Sequence, residues 1–375
     1  MKERIGHYRI HKTAGESYKT YVPVKLPITI DVDCLQKDLE ATNIALGKLS
    51  ECAQWVPDLS LFLYMYIRKE AVLSSQIEGT QSSLNDLLLF ENKARPEVSL
   101  DDVQEVSNYV KSIYYGLDRI KNGFVLSLRL LKEMHAILLK GTRGQHCMPG
   151  EFRTSQNWIG GTRPGNAFFV PPAPEDMKDA LYNLEEFLHN DRVPLLIRIG
   201  MAHVQFETIH PFLDGNGRMG RLLITLMLCN FGLLQTPILY PSLYFKEHRT
   251  EYYQRLNDVR SSEEWESWLK FFLEGIKTTA LQAVEKIHQI HQLFADCERK
   301  IASMGRGKFS CQKVFEYLKK VPQVTVPQVA KTLSLTAPTA RKVLQYMESA
   351  DILKETSGKL RDKVYVFDRY MKILE

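Results

Sequence analysis

His210-Pro211-Phe212-Leu213-Asp214-Gly215-Asn216-Gly217-Arg218-Met219-Gly220-Arg221 is the stretch on which the reading of this chain turns. It lies between two apolar segments with helical spacing, 194–209 and 217–231. Gly215 and Gly217 stand just ahead of the second, where backbone N–H groups can approach an anion with no Cβ in the way. The free N–H groups and dipole of a helix N-terminus favour negative charge there. Arg218 and Arg221, one turn apart, can grip polyphosphate oxygens. Asp214 is a hard oxygen ligand that could hold Mg²⁺ against those phosphates. His210, at the end of the preceding helix, is the natural proton acceptor near neutral pH. Each residue alone has an ordinary structural use, as core histidine, turn glycine or solvated arginine. Base, metal ligand, anion cradle and phosphate clamp within twelve consecutive residues point instead to chemistry on a phosphate.

Working outward, helical spacing dominates. Residues 1–30 read as irregular, with Pro23 and Pro27 stopping any helix. Helical patterns follow from about Val32, then from Leu59 to Ile77 after Pro57-Asp58, with Gly79 as the stop. Further helices are expected near 83–91, 100–120, 126–140, 174–190, 247–260 and 263–303. Trp265 and Trp268 share a face of the last one and read as core. Between Gly150 and Pro172, two short apolar runs flank Thr162-Arg163-Pro164-Gly165-Asn166, the pattern of a β-hairpin. Gly305-Arg306-Gly307 reads as a hinge, followed by helices at 310–320, 325–333 and 336–349 and by two short strand-like runs around Gly358. That order resembles a winged-helix domain, with Ala337 to Met347 as its recognition helix.

The motif segment resembles the signature of the Fic family, H-x-F-x-[D/E]-G-N-G-R-x-x-R, and matches every fixed position. The resemblance implies a mainly α fold, a Fic-type helical core over residues 32–300 with an inserted hairpin flap, and a small C-terminal winged-helix domain. It divides the chain into an N-terminal region (1–95), a catalytic core (96–304) and the winged helix (306–375). It also implies transfer of AMP from ATP to a protein hydroxyl, with Mg²⁺. His210 would take the proton, Phe212 anchor the loop and Asp214 hold the metal. Gly215, Asn216 and Gly217 would form the anion hole, and Arg218 and Arg221 would hold the β- and γ-phosphates, with Met219 and Gly220 in the same ATP-binding segment. Attack at the α-phosphorus needs charge stabilised on the β/γ side, which this arrangement supplies. Relatives with lysine for the second motif glycine act as kinases, and one with alanine for the first transfers phosphocholine. This chain keeps both glycines.

Upstream, Ser74-Ser75-Gln76-Ile77-Glu78-Gly79 resembles the family's inhibitory pattern, [S/T]-x-x-x-E-[G/N], at Ser74, Glu78 and Gly79. By the same resemblance, Ile159, Gly160, Gly161 and Thr162 form the flap that docks the target's backbone as an added strand. Tyr252 and Tyr253 stand where relatives place adenine-contacting residues; core packing is the competing use.

The net charge of +5 is uneven: residues 306–375 carry 14 Lys/Arg against 7 Asp/Glu. A basic C-terminal unit fits an anionic partner, and DNA bound through Lys313, Lys319, Lys320, Lys331, Arg341 and Lys342 is one expectation. No two of the six cysteines stand at C-x-x-C spacing, so no zinc site or disulfide framework is expected. The N-terminus lacks the apolar stretch of a signal peptide, and Leu222 to Cys229 is too short to span a bilayer, so a cytoplasmic location is expected. The partners expected are ATP, a target protein (itself included) and a second copy in a homodimer. Removal of AMP from a modified protein, or DNA-binding regulation, are the alternative activities.

Overall fold

The computed structural model describes residues 4–13, 15–53, 59–91, 98–303, 305, 307–358 and 363–374. The Pro57-Asp58 helix start, the boundary at residue 95 and Arg306 of the hinge lie outside the described residues. The chain divides into two compact units, residues 1–47 with 67–280 and residues 48–66 with 281–375. The mainly α expectation is borne out. Among the described residues no helix is long and apolar enough to cross a membrane.

The first unit opens with a hairpin, β1 (His7–Thr13) and β2 (Glu16–Val22), paired antiparallel from His7↔Val22 to Thr13↔Glu16. This corrects the irregular reading of residues 1–30. Tyr8, Ile10, Tyr18, Thr20 and Tyr21 suit a half-buried strand, and Pro23 and Pro27 fall beyond its end, where they interrupt nothing. Then come α1 (Gln36–Cys52), α2 (Leu59–Ile77), α3 (Leu84–Glu91), α4 (Leu100–Lys121) and α5 (Leu128–Leu138). After them run α6 (Pro174–Leu188), α7 (Leu195–Ile209), α8 (Asn216–Asn230), α9 (Ser242–Glu247), α10 (Arg249–Ser262) and α11 (Trp265–Ala302). Helices α7 and α8 form the centre. Every residue of α7 from Leu196 to Ile209 is buried, as are Arg218 to Leu228 of α8. Helices buried on every side belong in the middle of a domain. α7 packs on α6, α8 and α10, and α4 packs on α5 and α8. Trp268 is in this core, its indole N–H donating to Gly200 O at 2.9 Å.

The expected flap hairpin is reduced to a single antiparallel bridge, Ile159↔Phe169, around a 3₁₀ turn at Pro164–Asn166. Gly160 and Gly161 adopt φ of +70° and +68°, and Pro164 has no N–H to donate, so no ladder extends beyond the bridge.

The second unit takes residues 48–52 of α1, 59–66 of α2 and 281–302 of α11, and contains α12 (Lys308–Leu318), β3 (Gln323–Thr325), α13 (Val326–Leu333), α14 (Ala337–Ser349), β4 (Lys354–Glu355), β5 (Val364–Val366) and α15 (Asp368–Leu374). Its three strands form an antiparallel sheet in the order β3-β5-β4. Thr325 and Thr336 cap α13 and α14 by accepting from the amides of Gln328 and Thr339. Val314, Phe315, Leu318, Leu344, Met347 and Phe367 make its core, while Arg341 and Lys342 stand exposed on α14.

Candidate active site

The motif loop is a tight reversal between the two central helices. His210 ends α7 in the left-handed region (φ +49°), and Gly215 precedes α8 at φ +78° with no side-chain cap. Glycine at 215 removes the Cβ penalty of that conformation. The first-turn amides of α8 therefore remain available to an anion. Inside the loop, Asn216 Oδ1 accepts from Phe212 N–H and Nδ2 donates to Phe212 O, both at 2.8 Å. Phe212 is fully buried, its ring stacked on His135 at 3.7 Å.

Three residues that sequence reasoning missed hold this loop. His135 Nδ1 accepts from Gly150 N–H at 2.9 Å, so its Nε2 carries the proton and donates to Asp214 O at 2.9 Å. Arg153 is buried, and among the described residues no carboxylate pairs with it. It donates to the carbonyls of His210 (3.0 Å), Ile209 (3.3 Å), Pro172 (2.6 Å) and Ser155 (3.2 Å). Asn157 Nδ2 donates to His210 O at 3.1 Å and Phe212 O at 2.9 Å. Arg153 and Asn157 thus tie the base of the flap to the motif loop. Sequence offered little signal, because a buried histidine or arginine takes its role from what the fold brings beside it.

His210 Nδ1 lies 3.3 Å from Glu207 O. A carbonyl only accepts, so Nδ1 holds the proton and the Nε2 lone pair is left as a base. Burial pushes the imidazole pKa down to about 4, assisted by the charges of Arg153 and Arg260 and opposed by the Glu207 carbonyl and Glu78. The ring is neutral at pH 7.

The two arginines are already engaged. Arg221, 1% exposed, donates to Glu78 Oε1 at 2.6 Å, Ser74 Oγ at 2.8 Å and Ser74 O at 2.9 Å. Burial alone would raise the Glu78 pKa, but the charge and hydrogen bond of Arg221, with Arg218 and His210 behind them, bring it below the ordinary carboxylate value. A Cβ on Gly217 would lie 2.1 Å from Glu78 Oε1, so that carboxylate fills the space over the start of α8. Gly79 follows at φ +99°, ending α2. Arg218 donates to Glu105 Oε2 at 3.0 Å, and its other nitrogen is 3.7 Å from Asp214 Oδ2. Asp214 accepts from Gly215 N–H at 2.6 Å, and its side chain is 43% exposed.

The remaining sequence-derived residues separate into two groups. Met219 and Tyr252 are core residues. The Tyr252 hydroxyl bonds His203 Nε2 at 2.8 Å, while His203 Nδ1 donates to Gly220 O at 2.9 Å. Gly220 has a packing reason, since a Cβ there would lie 2.3 Å from Glu207 Oε1. Tyr253 is 39% exposed. In the flap, Thr162 N–H and Asn166 Oδ1 bond at 3.0 Å, and Gly161 packs against the Asn166 carbonyl too closely for a Cβ.

A mainly helical core that presents an uncapped helix start, two buried arginines and a neutral histidine on one tight loop and the helix after it could hold an anion. Residues 36–118 match the Fic/DOC family N-terminal model and residues 125–228 the Fic/DOC family model, and the chain belongs to that family. It is 35% identical over 143 residues to a protein adenylyltransferase Fic of Aedes aegypti, covering 36% of this chain and 25% of that one. It is 29% identical over 164 residues to the one of Drosophila grimshawi, covering 42% and 30%. The chain thus matches less than a third of the length of these relatives. A Fic family protein from Desulfovibrio desulfuricans G20 superposes with a TM-score of 0.55 at 21% identity, over 91% of this chain and 97% of that one. Fic-1 (134–508) from C. elegans gives 0.50 at 21%, over 70% and 74%. These likenesses show the same fold.

Proposed function

We propose that this chain transfers AMP from ATP to the hydroxyl of a protein side chain, and that Glu78 holds the reaction in check. The observation that carries this reading is the uncapped start of α8, flanked by Arg218 and Arg221 and filled by the Glu78 carboxylate beside neutral His210. In the proposed step, the acceptor oxygen attacks the α-phosphorus while His210 Nε2 takes its proton. The bond from the α-phosphorus to the bridging oxygen breaks, and pyrophosphate leaves with that electron pair. The α8 amides and the two arginines stabilise its charge.

Asp214 fits a Mg²⁺ ion. It offers a half-exposed carboxylate, and among the described residues no cluster of three or more His, Cys, Asp or Glu competes as a protein cage. Mg²⁺ commonly binds through one or two carboxylates plus phosphate oxygens and water, and would there neutralise phosphate charge. Glu78 acts by holding Arg221 where a terminal phosphate would need it. Ile159 to Thr162, braced at their base through Arg153 and Asn157, would receive the target's backbone. Of the tyrosine pair, half-exposed Tyr253 is the one available to flank a purine. The second unit is read as a winged helix, and exposed Arg341 and Lys342 on α14 fit a phosphate backbone; duplex binding that weakens steeply with salt is its signature.

Mass spectrometry after incubation with Mg²⁺ and ATP tests the reaction. The wild type and Glu78→Gly are expected to gain AMP, the variant faster. If neither attaches AMP to itself or to added protein and neither releases pyrophosphate, the reading is overturned.

A further inference from the structure

Beside the phosphate end of this site lie two buried ionisable side chains, one acidic and one basic, each with a polar atom left without a hydrogen-bond partner among the described residues. Glu207 on α7 and Arg260 on α10 are only 8% and 7% exposed. Glu207 Oε1 and Arg260 Nε are buried with no hydrogen-bond partner among the described residues, and neither side chain forms an ion pair there. Buried polar groups are normally satisfied, and an unpaired one costs free energy that a ligand can recover. Both residues adjoin the chemistry: Glu207 feels the charges of Arg221 and Glu78, and the charge of Arg260 helps keep His210 neutral. The flap borders the place. The Arg260 guanidinium lies 4.0 Å from the centre of the Phe169 ring, which belongs to the flap. The neighbouring polar groups are committed elsewhere, the Tyr252 hydroxyl to His203 and the His203 Nδ1 proton to Gly220 O.

An acceptor and a donor within electrostatic reach of each other, but not paired among the described residues, match a base edge that offers a donor beside an acceptor. Adenine presents that pattern through its exocyclic amine and an adjoining ring nitrogen. We propose that Glu207 and Arg260 are the nucleoside-reading pair of this site, the carboxylate accepting from the adenine amine and the guanidinium donating to the ring nitrogen. The pair rests on the AMP-transfer reading for its ligand. A base carrying a carbonyl in place of the amine turns a lone pair toward Glu207 and leaves that carboxylate unpaired, which a site built on hydrogen bonds rejects.

The test is equilibrium binding of ATP and inosine triphosphate to the full chain at pH 8. Burial pushes the Glu207 pKa up to about 7, so the carboxylate is ionised there. Wild type is expected to prefer ATP by about tenfold or more, the worth of one mispaired buried group. Glu207→Gln puts an amide N–H within reach of the carbonyl and should narrow or reverse that preference. Arg260→Met should weaken ATP by about tenfold on the same ground. Equal binding of the two nucleotides by wild type, or an unchanged ratio in Glu207→Gln, overturns the pairing even if Arg260→Met fails to fold. AMP transfer measured in parallel separates the two ideas. Transfer without nucleotide preference sinks the pair alone, whereas preference without transfer sinks the reaction alone, and absence of ATP binding sinks both.

Discussion

The two ends of the site treat buried charge in opposite ways. At the phosphate end, each arginine already holds a carboxylate, Glu78 on Arg221 at 2.6 Å and Glu105 on Arg218 at 3.0 Å. At the other end, Glu207 and Arg260 are comparably buried and, among the described residues, neither forms an ion pair. At the first end both arginines are already paired, although Arg218 Nε is a buried donor without a partner among the described residues, so a phosphate reaching Arg221 must displace Glu78. The second is incomplete, so a ligand there gains hydrogen bonds without displacing any. A site so divided can admit a nucleoside while keeping its phosphates out of the productive position, which is what an inhibitory carboxylate has to achieve.

The largest test of this contrast is His210→Ala. If His210 acts only on the proton, transfer falls by about 10²–10⁴-fold, the usual worth of a general base. ATP affinity, set at the two ends, stays within about twofold, well under the tenfold that 1.4 kcal/mol represents. Parallel rate and binding measurements check this, and undiminished transfer would remove His210 as the base. Next in size is Glu78→Gly, which frees Arg221 for phosphate. Correcting a misaligned phosphate is worth on the order of tenfold to a hundredfold in rate. The same change leaves Arg221 with Ser74 alone. Because Glu78 is 37% exposed, the stability loss is expected near ~1–2 kcal/mol, below that of a fully buried pair. Equal transfer by the variant and wild type would make Glu78 an ordinary helix-end carboxylate.

What was legible in the sequence was what is local. The motif's glycines, histidine and arginines lie within twelve residues, and their spacing alone places them on a loop and the helix after it. The meeting of Glu78 with Arg221, 143 residues apart, was legible only through resemblance. Glu105, His135, Arg153, Asn157, Glu207 and Arg260 carry no local signal, because each depends on the segment that the fold sets beside it. The N-terminal hairpin was missed because prolines just beyond its end were weighed above the strand-forming residues before them. The flap was expected as a fuller hairpin, but positive-φ glycines and a proline leave it one bridge.

The pH dependence sharpens the contrast from the side of His210. An unperturbed imidazole would begin to lose its base function below about pH 6.5. Here burial comes first, then the Arg153 and Arg260 charges, in favouring the neutral ring, and the Glu207 carbonyl and Glu78 oppose them; the pKa is about 4. A base is lost as pH falls through its own pKa, so at saturating ATP, where a weaker nucleotide affinity does not limit the rate, transfer by Glu78→Gly should change less than about twofold from pH 8 to pH 6. Removing Glu78 takes away a group that raises this pKa, so the variant's acid limb lies no higher. A limb centred near pH 6.5, assigned to His210 by its loss in a slow residual reaction of His210→Ala, would contradict the buried neutral imidazole.

The smallest expected effect separates the two tyrosines. The Tyr252 hydroxyl links α10 to α7 through His203, in a place where both groups are fully enclosed. Burial also holds the His203 pKa down at about 3, so the ring stays neutral and accepts the tyrosine proton at any working pH. Tyr252→Phe therefore removes one buried hydrogen bond and leaves the ring packed on Phe245, at a cost of about 1 kcal/mol. In thermal unfolding that corresponds to a drop of roughly 2–4 °C for a unit of this size. ATP affinity and transfer should hold within about twofold, below the tenfold mark of 1.4 kcal/mol. Tyr253→Ala should show the reverse pattern, with melting nearly unchanged and ATP bound about tenfold more weakly, because a half-exposed ring contributes little to the core and about 1–2 kcal/mol to a stacked base. If instead Tyr252→Phe loses nucleotide with its melting temperature intact, the hydroxyl belongs to the nucleoside end. Glu207 and Arg260 would then share that end with a third polar group.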